Sequence, residues 1–296
     1  MDKKFRFNVL SLLGFYNSME DRKYLKIKYK IEMGRKLNIE NPRTFNEKIQ
    51  WLKINDHKEI YTTMVDKFKA KSYVEKKIGK QYIVPTYGVW DRFEDIDFDI
   101  LPNQFVLKCT HDSGGLVIVR DKLNFDKKKA KKKIEKSLRN NYYYSCREWP
   151  YKNVKPRIIA EKYLKDTQMN KSGLVDFKIF CFNGKAKFLY ISQGLENHLT
   201  AKISFYDLEF NKMPFKRSDY EGFISDPPKP KNIKKMIQIA EKLAINIPFL
   251  RVDLYEVDEQ IYFSELTFSP CSGMIPFEPQ EWDLKLGDLL ELPNKN

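Results

Sequence analysis

Two runs of alternating polarity near the C-terminal end, Leu250–Tyr255 and Ile261–Ser269, constrain the fold more than any other stretch. They are separated by Glu256-Val257-Asp258-Glu259-Gln260. Side chains two apart share a strand face. The first run therefore carries Arg251, Asp253 and Tyr255 on one face and Val252 and Leu254 on the other. In the second, Phe263, Glu265, Thr267 and Ser269 share a face opposite Tyr262, Leu266 and Phe268. A hairpin turning around Asp258–Gln260 sets Asp253 across from Glu265 and Arg251 across from Thr267, with paired Cβ atoms roughly 4.5–5.5 Å apart. Two carboxylates that close raise one pKa. A Mg2+ ion, which takes carboxylate and phosphate oxygens, relieves the conflict. A hairpin with a solvated polar face has the same pattern, so the metal depends on what the rest of the chain gives it to hold.

The 296 residues are enough for a full core, in one large domain or in two or three intimate subdomains. Fifty-four Lys and Arg against 40 Asp and Glu give a net charge of +14, which points to an anionic partner: nucleic acid, nucleotide, acidic polymer or membrane surface. Cys109, Cys146, Cys181 and Cys271 have no CxxC spacing, which argues against a zinc site or disulfide framework and fits a reduced, cytoplasmic setting. No run approaches the ~18–20 apolar residues of a membrane span. Lys3, Lys4 and Arg6 precede Val9–Tyr16, but Asn8, Ser11 and Asn17 interrupt the apolar pattern and no small-residue cleavage site follows. The stretch reads as a helix packing on the body, with a peripheral contact to the inner membrane face as the alternative.

Residues 1–58 read as helical and basic. Thr44 followed by Glu47 forms a capping box opening a helix through Leu52. Ile60–Lys77 reads as one further helix, containing Asp66-Lys67 and ended by Gly79. The pattern then changes to strands. Gln104–Cys109 runs into Thr110-His111-Asp112-Ser113-Gly114-Gly115, followed by a strand at Leu116–Arg120. Strand, Gly-rich turn and strand brings backbone N–H groups close to phosphate oxygens, and Lys108 stands at the end of the entering strand. This is no Walker loop, and a plain hairpin turn uses the same glycines. A Lys-loaded helix runs from Asn124 to about Asn140, a strand covers Pro156–Leu164, and Lys165–Gly173 is a loop. Val175–Phe182 alternates with Asp176 and Lys178 on one face, and Asn183-Gly184 turns it back into Lys185–Ser192. Lys202–Tyr206 is a strand, and Ile233, Met236, Ile237, Ala240, Leu243 and Ala244 mark an amphipathic helix. A short Leu-rich helix lies around Leu284–Leu290.

Asp66-Lys67 on a helix, Lys108 before the Gly loop, a polar strand end at Glu161–Leu164 and the Asp253/Glu265 hairpin, in that order, resemble the ATP-grasp fold. More closely, Asn41-Pro42-Arg43-Thr44-Phe45-Asn46-Glu47-Lys48, Leu101-Pro102 with Phe105-Val106-Leu107-Lys108, Glu148-Trp149-Pro150-Tyr151, Phe177-Lys178 with Cys181-Phe182-Asn183-Gly184, Arg251-Val252-Asp253-Leu254-Tyr255 and Glu265-Leu266-Thr267-Phe268 are similar to the TupA-like ATP-grasp family. The resemblance implies an α+β chain. Two lobes with antiparallel sheets would clamp ATP, in residues 59–165 (with the Gly loop) and 166–296 (with the metal site), behind a helical segment 1–58. It implies that Lys67 and Lys108 contact phosphates, and that Thr110–Gly115, with His111, Ser113, Gly114 and Gly115, closes over them. Glu161, Lys162, Tyr163 and Leu164 would be the adenine hinge, Asp176 and Lys178 a charged pair beyond it, and Asp253 and Glu265 the Mg2+ ligands. Thr267 replaces the usual Asn, a weaker neutral ligand that leaves a second metal site open. Asp112 beside the phosphates is an unfavourable charge unless offset by Mg2+, Lys108 or His111. His111 is either a loop anchor or a substrate contact.

The chemistry implied is ligation of a carboxylate to an amine through an acyl phosphate, with Arg251 stabilising the tetrahedral oxyanion. The acceptor would be an acidic sugar or glutamyl chain of a bacterial cell-surface polysaccharide. A sugar kinase keeps the nucleotide site and changes the product. A glycosyltransferase would use the two carboxylates on a nucleotide sugar but leaves the lysines and Gly loop without a role. For a nucleic-acid partner the facing carboxylates are superfluous, so none is expected.

Overall fold

The computed structural model describes residues 3–112, 114–165, 174–194 and 201–294. Five helices open the chain: α1 (Lys3–Leu12), α2 (Asp21–Met33), α3 (Phe45–Asn55), α4 (Glu59–Val65) and α5 (Lys69–Ile78). The capping box of α3 forms in both directions, with the Thr44 hydroxyl accepting from the Glu47 N–H and the Glu47 carboxylate accepting from the Thr44 N–H. Glu47 also accepts from the N–H groups of Asn38 and Arg43, so one carboxylate folds the preceding turn onto the helix. The single helix expected over Ile60–Lys77 is broken in two. Asp66 Oδ1 accepts from the N–H groups of Phe68 (2.9 Å) and Lys69 (3.2 Å), while its Oδ2 accepts from Arg157 at 3.0 Å. An Asp side chain that bonds the backbone two and three residues on competes with helix continuation. Helix α1 buries Phe7 but leaves Phe5, Leu12 and the following Leu13 and Phe15 exposed, so it packs on the body less completely than expected.

Strands β1 (Thr86–Trp90), β2 (Phe105–Cys109) and β3 (Leu116–Val119) are followed by helices α6 (Lys127–Leu138) and α7 (Tyr143–Cys146) and strand β4 (Ile158–Lys162). They form an antiparallel sheet in the order β1-β4-β2-β3. Phe105, Leu107 and Cys109 of β2 and Ile158 and Ala160 of β4 pack toward Ile134 of α6. By the two-residue strand period, Lys108 and Glu161 therefore project from the opposite face.

The second sheet contains β5 (Val175–Phe182), β6 (Lys185–Gln193) and β7 (Lys202–Tyr206). After β8 (Lys216–Arg217) and α8 (Ile233–Ala244) come β9 (Phe249–Val257) and β10 (Gln260–Thr267), giving the antiparallel order β10-β9-β5-β6-β7. A small pairing of β8 with β11 (Phe277–Glu278) and helix α9 (Glu281–Asp288) complete the chain. One face of the large sheet, with Phe177, Ile179, Leu189, Val252 and Leu254, packs against α8 and α5. The other face changes character along the strands. Phe180, Phe182, Phe188, Phe205 and Phe249 join Phe45 of α3 and Leu286 of α9 in an aromatic core. Two residues further along the same strands, the face becomes charged: Lys178 pairs with Asp253, and Asp176 with Tyr255.

The hairpin turns more tightly than expected. Val257 pairs with Gln260, and Asp258 and Glu259 both adopt positive φ (49° and 66°), as a two-residue turn requires. Ser264 is then bulged between Phe263 and Glu265. Phe263 consequently faces the core with Leu254 and Leu266 rather than sharing a face with Glu265.

Candidate active site

Asp253 is wholly buried and is held by this chain's own cations. Arg251, two residues away on the same face, donates from Nε to Oδ1 at 2.7 Å and from a terminal nitrogen to Oδ2 at 2.6 Å. Lys178, directly across on β5, donates to Oδ2 at 2.7 Å. Burial raises the pKa of Asp253, but Arg251 and Lys178 outweigh it and hold the carboxyl below the usual range. The Asp253/Glu265 pair is thus stable without a bound metal, and the electrostatic conflict expected from the sequence is resolved internally. Arg251 also reaches Glu265 Oε1 at 3.3 Å and the Thr267 hydroxyl at 3.0 Å, and lies over the Tyr190 ring. Asp176 is pushed up by burial against the pull of Lys178, whose Nζ is 3.4 Å from an Oδ1 that has no hydrogen-bond partner. Glu265 differs from these groups. Its side chain is 32% exposed, and its contacts, to Arg251 at 3.3 Å and to Lys67 at 3.8 Å, are long.

On the four-stranded sheet, Glu161 sits between two ammonium groups: Lys108 at 2.6 Å and Lys71 at 2.5 Å. Burial opposes ionisation, yet the two lysines hold the Glu161 pKa at about 2. Lys71 was not among the residues expected from the sequence. It lies on α5, four residues beyond Lys67, and that spacing was the available signal; its Nζ also donates to the Val84 carbonyl (2.7 Å) and the Thr86 hydroxyl (2.6 Å). Beyond Glu161, the Lys162 N–H donates to the Pro85 carbonyl at 2.9 Å, so that amide is already used within the fold. Tyr163 lies under Arg120, and Leu164 is buried with Val84 and Val257.

The Gly loop is anchored at both ends. The Lys67 N–H donates to the Thr110 carbonyl at 3.0 Å, and its Nζ donates to the Asp112 carbonyl. Lys67 thereby touches both the loop and Glu265. His111 turns away from the cleft: its Nε2 faces the carbonyls of Ser137 (3.1 Å) and Asn140 (3.0 Å) at the end of α6 and must donate to them. Asp112 also points inward, accepting from the Ser137 hydroxyl and from the Gly115 N–H at 3.1 Å. The charge expected beside the phosphates is therefore absorbed by the fold. Ser113 lies outside the described residues and Gly114 is exposed. At Gly115 a Cβ would fall 2.5 Å from both Cys109 Sγ and Ser137 Oγ, so glycine is needed for the loop to lie this close to α6.

The described residues contain no group of three or more His, Cys, Asp or Glu positioned to hold a metal. Both Asp253 oxygens have cationic donors, whereas Glu265 is open. Glu265 fits an ion such as Mg2+, which is usually bound by one or two carboxylates together with substrate phosphates. Asp253 and Thr267 do not fit it as they stand, because both Asp253 oxygens and the Thr267 hydroxyl already accept from Arg251 or Lys178. The four cysteines are free.

A model of the family described as TupA-like ATPgrasp matches residues 47–291. No curated protein sequence matches the chain. Among solved structures, it is similar to D-alanine–D-alanine ligase from Bacillus anthracis complexed with ATP, at 17% identity over 70% of this chain and 54% of that one, TM-score 0.37. It is also similar to N5-carboxyaminoimidazole synthetase from Staphylococcus aureus, at 15% identity over 69% and 44%, TM-score 0.39. A RimK domain protein ATP-grasp from Sphaerobacter thermophilus matches at 11% identity over 78% and 69%, TM-score 0.40. The chain spans about half the length of the first two.

Proposed function

The chain belongs to the TupA-like ATP-grasp family, and on that footing we propose that it is an ATP- and Mg2+-dependent carboxylate–amine ligase working through an acyl phosphate. The observation that carries this reading is the pair of opposed cation clusters. Lys67, Lys71 and Lys108 stand on one side of the cleft and Lys178 and Arg251 on the other; Glu161 holds Lys71 and Lys108, Asp253 holds Lys178 and Arg251, and the Asp112 carbonyl holds Lys67. A polyphosphate entering between lobes 59–165 and 166–296 would meet lysines that are already desolvated and oriented. Stabilisation of phosphoryl transfer is mostly such positioning and electrostatics. When bound, Mg2+ supplies charge neutralisation of the phosphate oxygens.

Lys67 and Lys108 would bind the phosphates, with Lys71 and Glu161 fixing the Lys108 ammonium. Arg251 is rigid because Asp253 accepts from two of its nitrogens, and it would face the oxyanion formed when the amine attacks. Lys178 holds Asp253 and would place its own charge beside the reacting group. Residues 110–115 would exclude water from the acyl phosphate. The acceptor is an acidic sugar or glutamyl chain in cell-surface polysaccharide biosynthesis, consistent with the +14 charge. A peripheral contact of α1 with the inner membrane face is part of the same reading. Among the described residues no helix is long and apolar enough to cross a membrane, and α1 exposes Phe5, Val9 and Leu12 near Lys4 and Arg6.

ADP and phosphate release, screened against amino acids and sugar acids singly and in pairs with mass detection of products, tests the proposal. A ligase releases both only when acid and amine are present together and yields their condensation product. A phosphoester would make it a kinase, and consumption of a nucleotide sugar would make it a glycosyltransferase.

A further inference from the structure

Glu148 lies between α7 and the turn Trp149–Tyr151, in a segment with no part in the nucleotide chemistry above. It is 3% exposed, and its Oε1 accepts from the Ser272 hydroxyl at 2.6 Å. That hydroxyl is its one hydrogen-bond donor among the described residues, and none of the ion pairs found among them includes it. The buried ammonium of Lys53, which also bonds Ser272, instead donates to three neutral oxygens: Gln50 Oε1 at 3.0 Å, the Cys146 carbonyl at 3.1 Å and the Ser272 carbonyl at 2.6 Å. A buried carboxylate without a direct counter-ion is costly, and such groups concentrate at functional sites.

Its hydrogen-bond partner places it at the end of β10: Ser272 lies five residues beyond Thr267, whose hydroxyl accepts from Arg251 at 3.0 Å. Lys53 of α3, Arg251 of β9, Glu265 of β10 and the phenol of Tyr151 are the charged and titratable groups that act on it or on its neighbour, and burial pushes its carboxyl up. Ser272 is held in an unusual conformation to reach it. Cys271, Ser272 and Gly273 all have positive φ (48°, 57° and 61°). Gln50 fixes this turn by donating to the carbonyls of Ser272 (2.9 Å) and Gly273 (2.7 Å), and a Cβ at Gly273 would lie 2.6 Å from Gln50 Nε2. Left-handed non-glycine residues kept in place by their surroundings cluster at ligand clamps.

We infer that Glu148, presented by Ser272, binds the amine substrate as its ammonium ion and accepts the proton that must leave before nitrogen can attack. The inference rests on the ligase reading. One N–H proton passes to Glu148, and the nitrogen lone pair forms the C–N bond at the acyl carbon. The C–O bond to phosphate breaks with its electron pair on the phosphate, which takes the second N–H proton.

The test compares the amine found in the product screen with hydroxylamine, which is uncharged near neutral pH and traps acyl phosphates as hydroxamates. In Glu148→Gln, the KM for the amine should rise about 10- to 100-fold, while hydroxamate formation from acid, ATP and hydroxylamine stays within about twofold of wild type, as does the KM for ATP. Equal loss of amide and hydroxamate, or an unchanged amine KM, overturns the inference. If Glu148→Gln does not fold, Ser272→Ala must raise the amine KM in the same selective way, and failure to do so overturns it equally. A wild-type protein that makes neither product refutes the ligase reading instead.

Discussion

Glu265 stands opposite Asp253 because Ser264 is bulged out of β10. Continued in the register of Leu254 and Phe263, the hairpin would put Ser264 across from Asp253 and Glu265 out of line. One extra residue lets Phe263 and Leu266 both face the core while Glu265 faces the cleft. Bulges re-aim side chains in this way next to active sites.

The openness of Glu265 separates its chemical role from any structural one. Its ion pairs are long and partly exposed, a class worth ~0–1 kcal/mol. Glu265→Gln should therefore melt within a few degrees of wild type while ATP turnover falls about 10²–10³-fold, the usual cost of losing one charge-stabilising group. Calorimetry and an ADP-release assay on the same sample check both halves, and retained turnover would remove Glu265 from the metal site.

Asp253 should behave oppositely. Asp253→Asn leaves Arg251 and Lys178 buried without their counter-charge, a loss on the order of 3–5 kcal/mol. The melting temperature should drop by roughly 10 °C. A melting temperature equal to that of Glu265→Gln would show that Arg251 and Lys178 do not depend on Asp253.

Glu161 predicts an acid-sensitive component of stability. Its pKa is lowered from 4.5 to about 2 in the folded chain, so its contribution is complete above pH 4.5 and is lost as the pH falls toward 2. The amount is on the order of 3 kcal/mol. Urea-unfolding free energies measured across this window should fall more steeply for wild type than for Glu161→Gln; parallel curves would mean that Lys71 and Lys108 do not depress it.

Helix α1 supplies an independent test of membrane contact. The chain should sediment with vesicles containing anionic lipid at low salt and be released at high salt, as expected of a basic helix with exposed apolar residues. Leu12→Glu with Leu13→Glu should abolish binding. Indifference of wild type to the vesicles would eliminate the contact.

What the sequence disclosed follows the range of the forces involved. Strands β5 and β7 and helix α8 were legible residue for residue, because alternation and helical spacing are local patterns, and Asn183-Gly184 announced its own turn. The Asp253–Glu265 pairing was correctly inferred, although the symmetric hairpin behind it differs from the tight turn plus bulge. The break at Asp66 comes from bonds to the N–H groups of Phe68 and Lys69 that the helical spacing of Ile60–Lys77 masks, and Arg157, which fixes that side chain, is 91 residues away. Lys71 reads as another surface lysine until Glu161 is brought to it. Asp112 looked like a cleft residue, and His111 could be either loop anchor or substrate contact, because nothing local shows that the end of α6 covers them. Glu148 acquires meaning only from Ser272, 124 residues distant and held by α3.

The central claim, activation of a carboxylate as an acyl phosphate, is tested most directly by isotope transfer. The acid substrate, labelled with heavy oxygen in its carboxylate, is turned over with ATP and the amine, and the released phosphate is analysed by mass. One labelled oxygen should appear in phosphate for each ADP formed. ADP formation with product but no label in phosphate would contradict the acyl phosphate and with it the ligase mechanism built on this cleft.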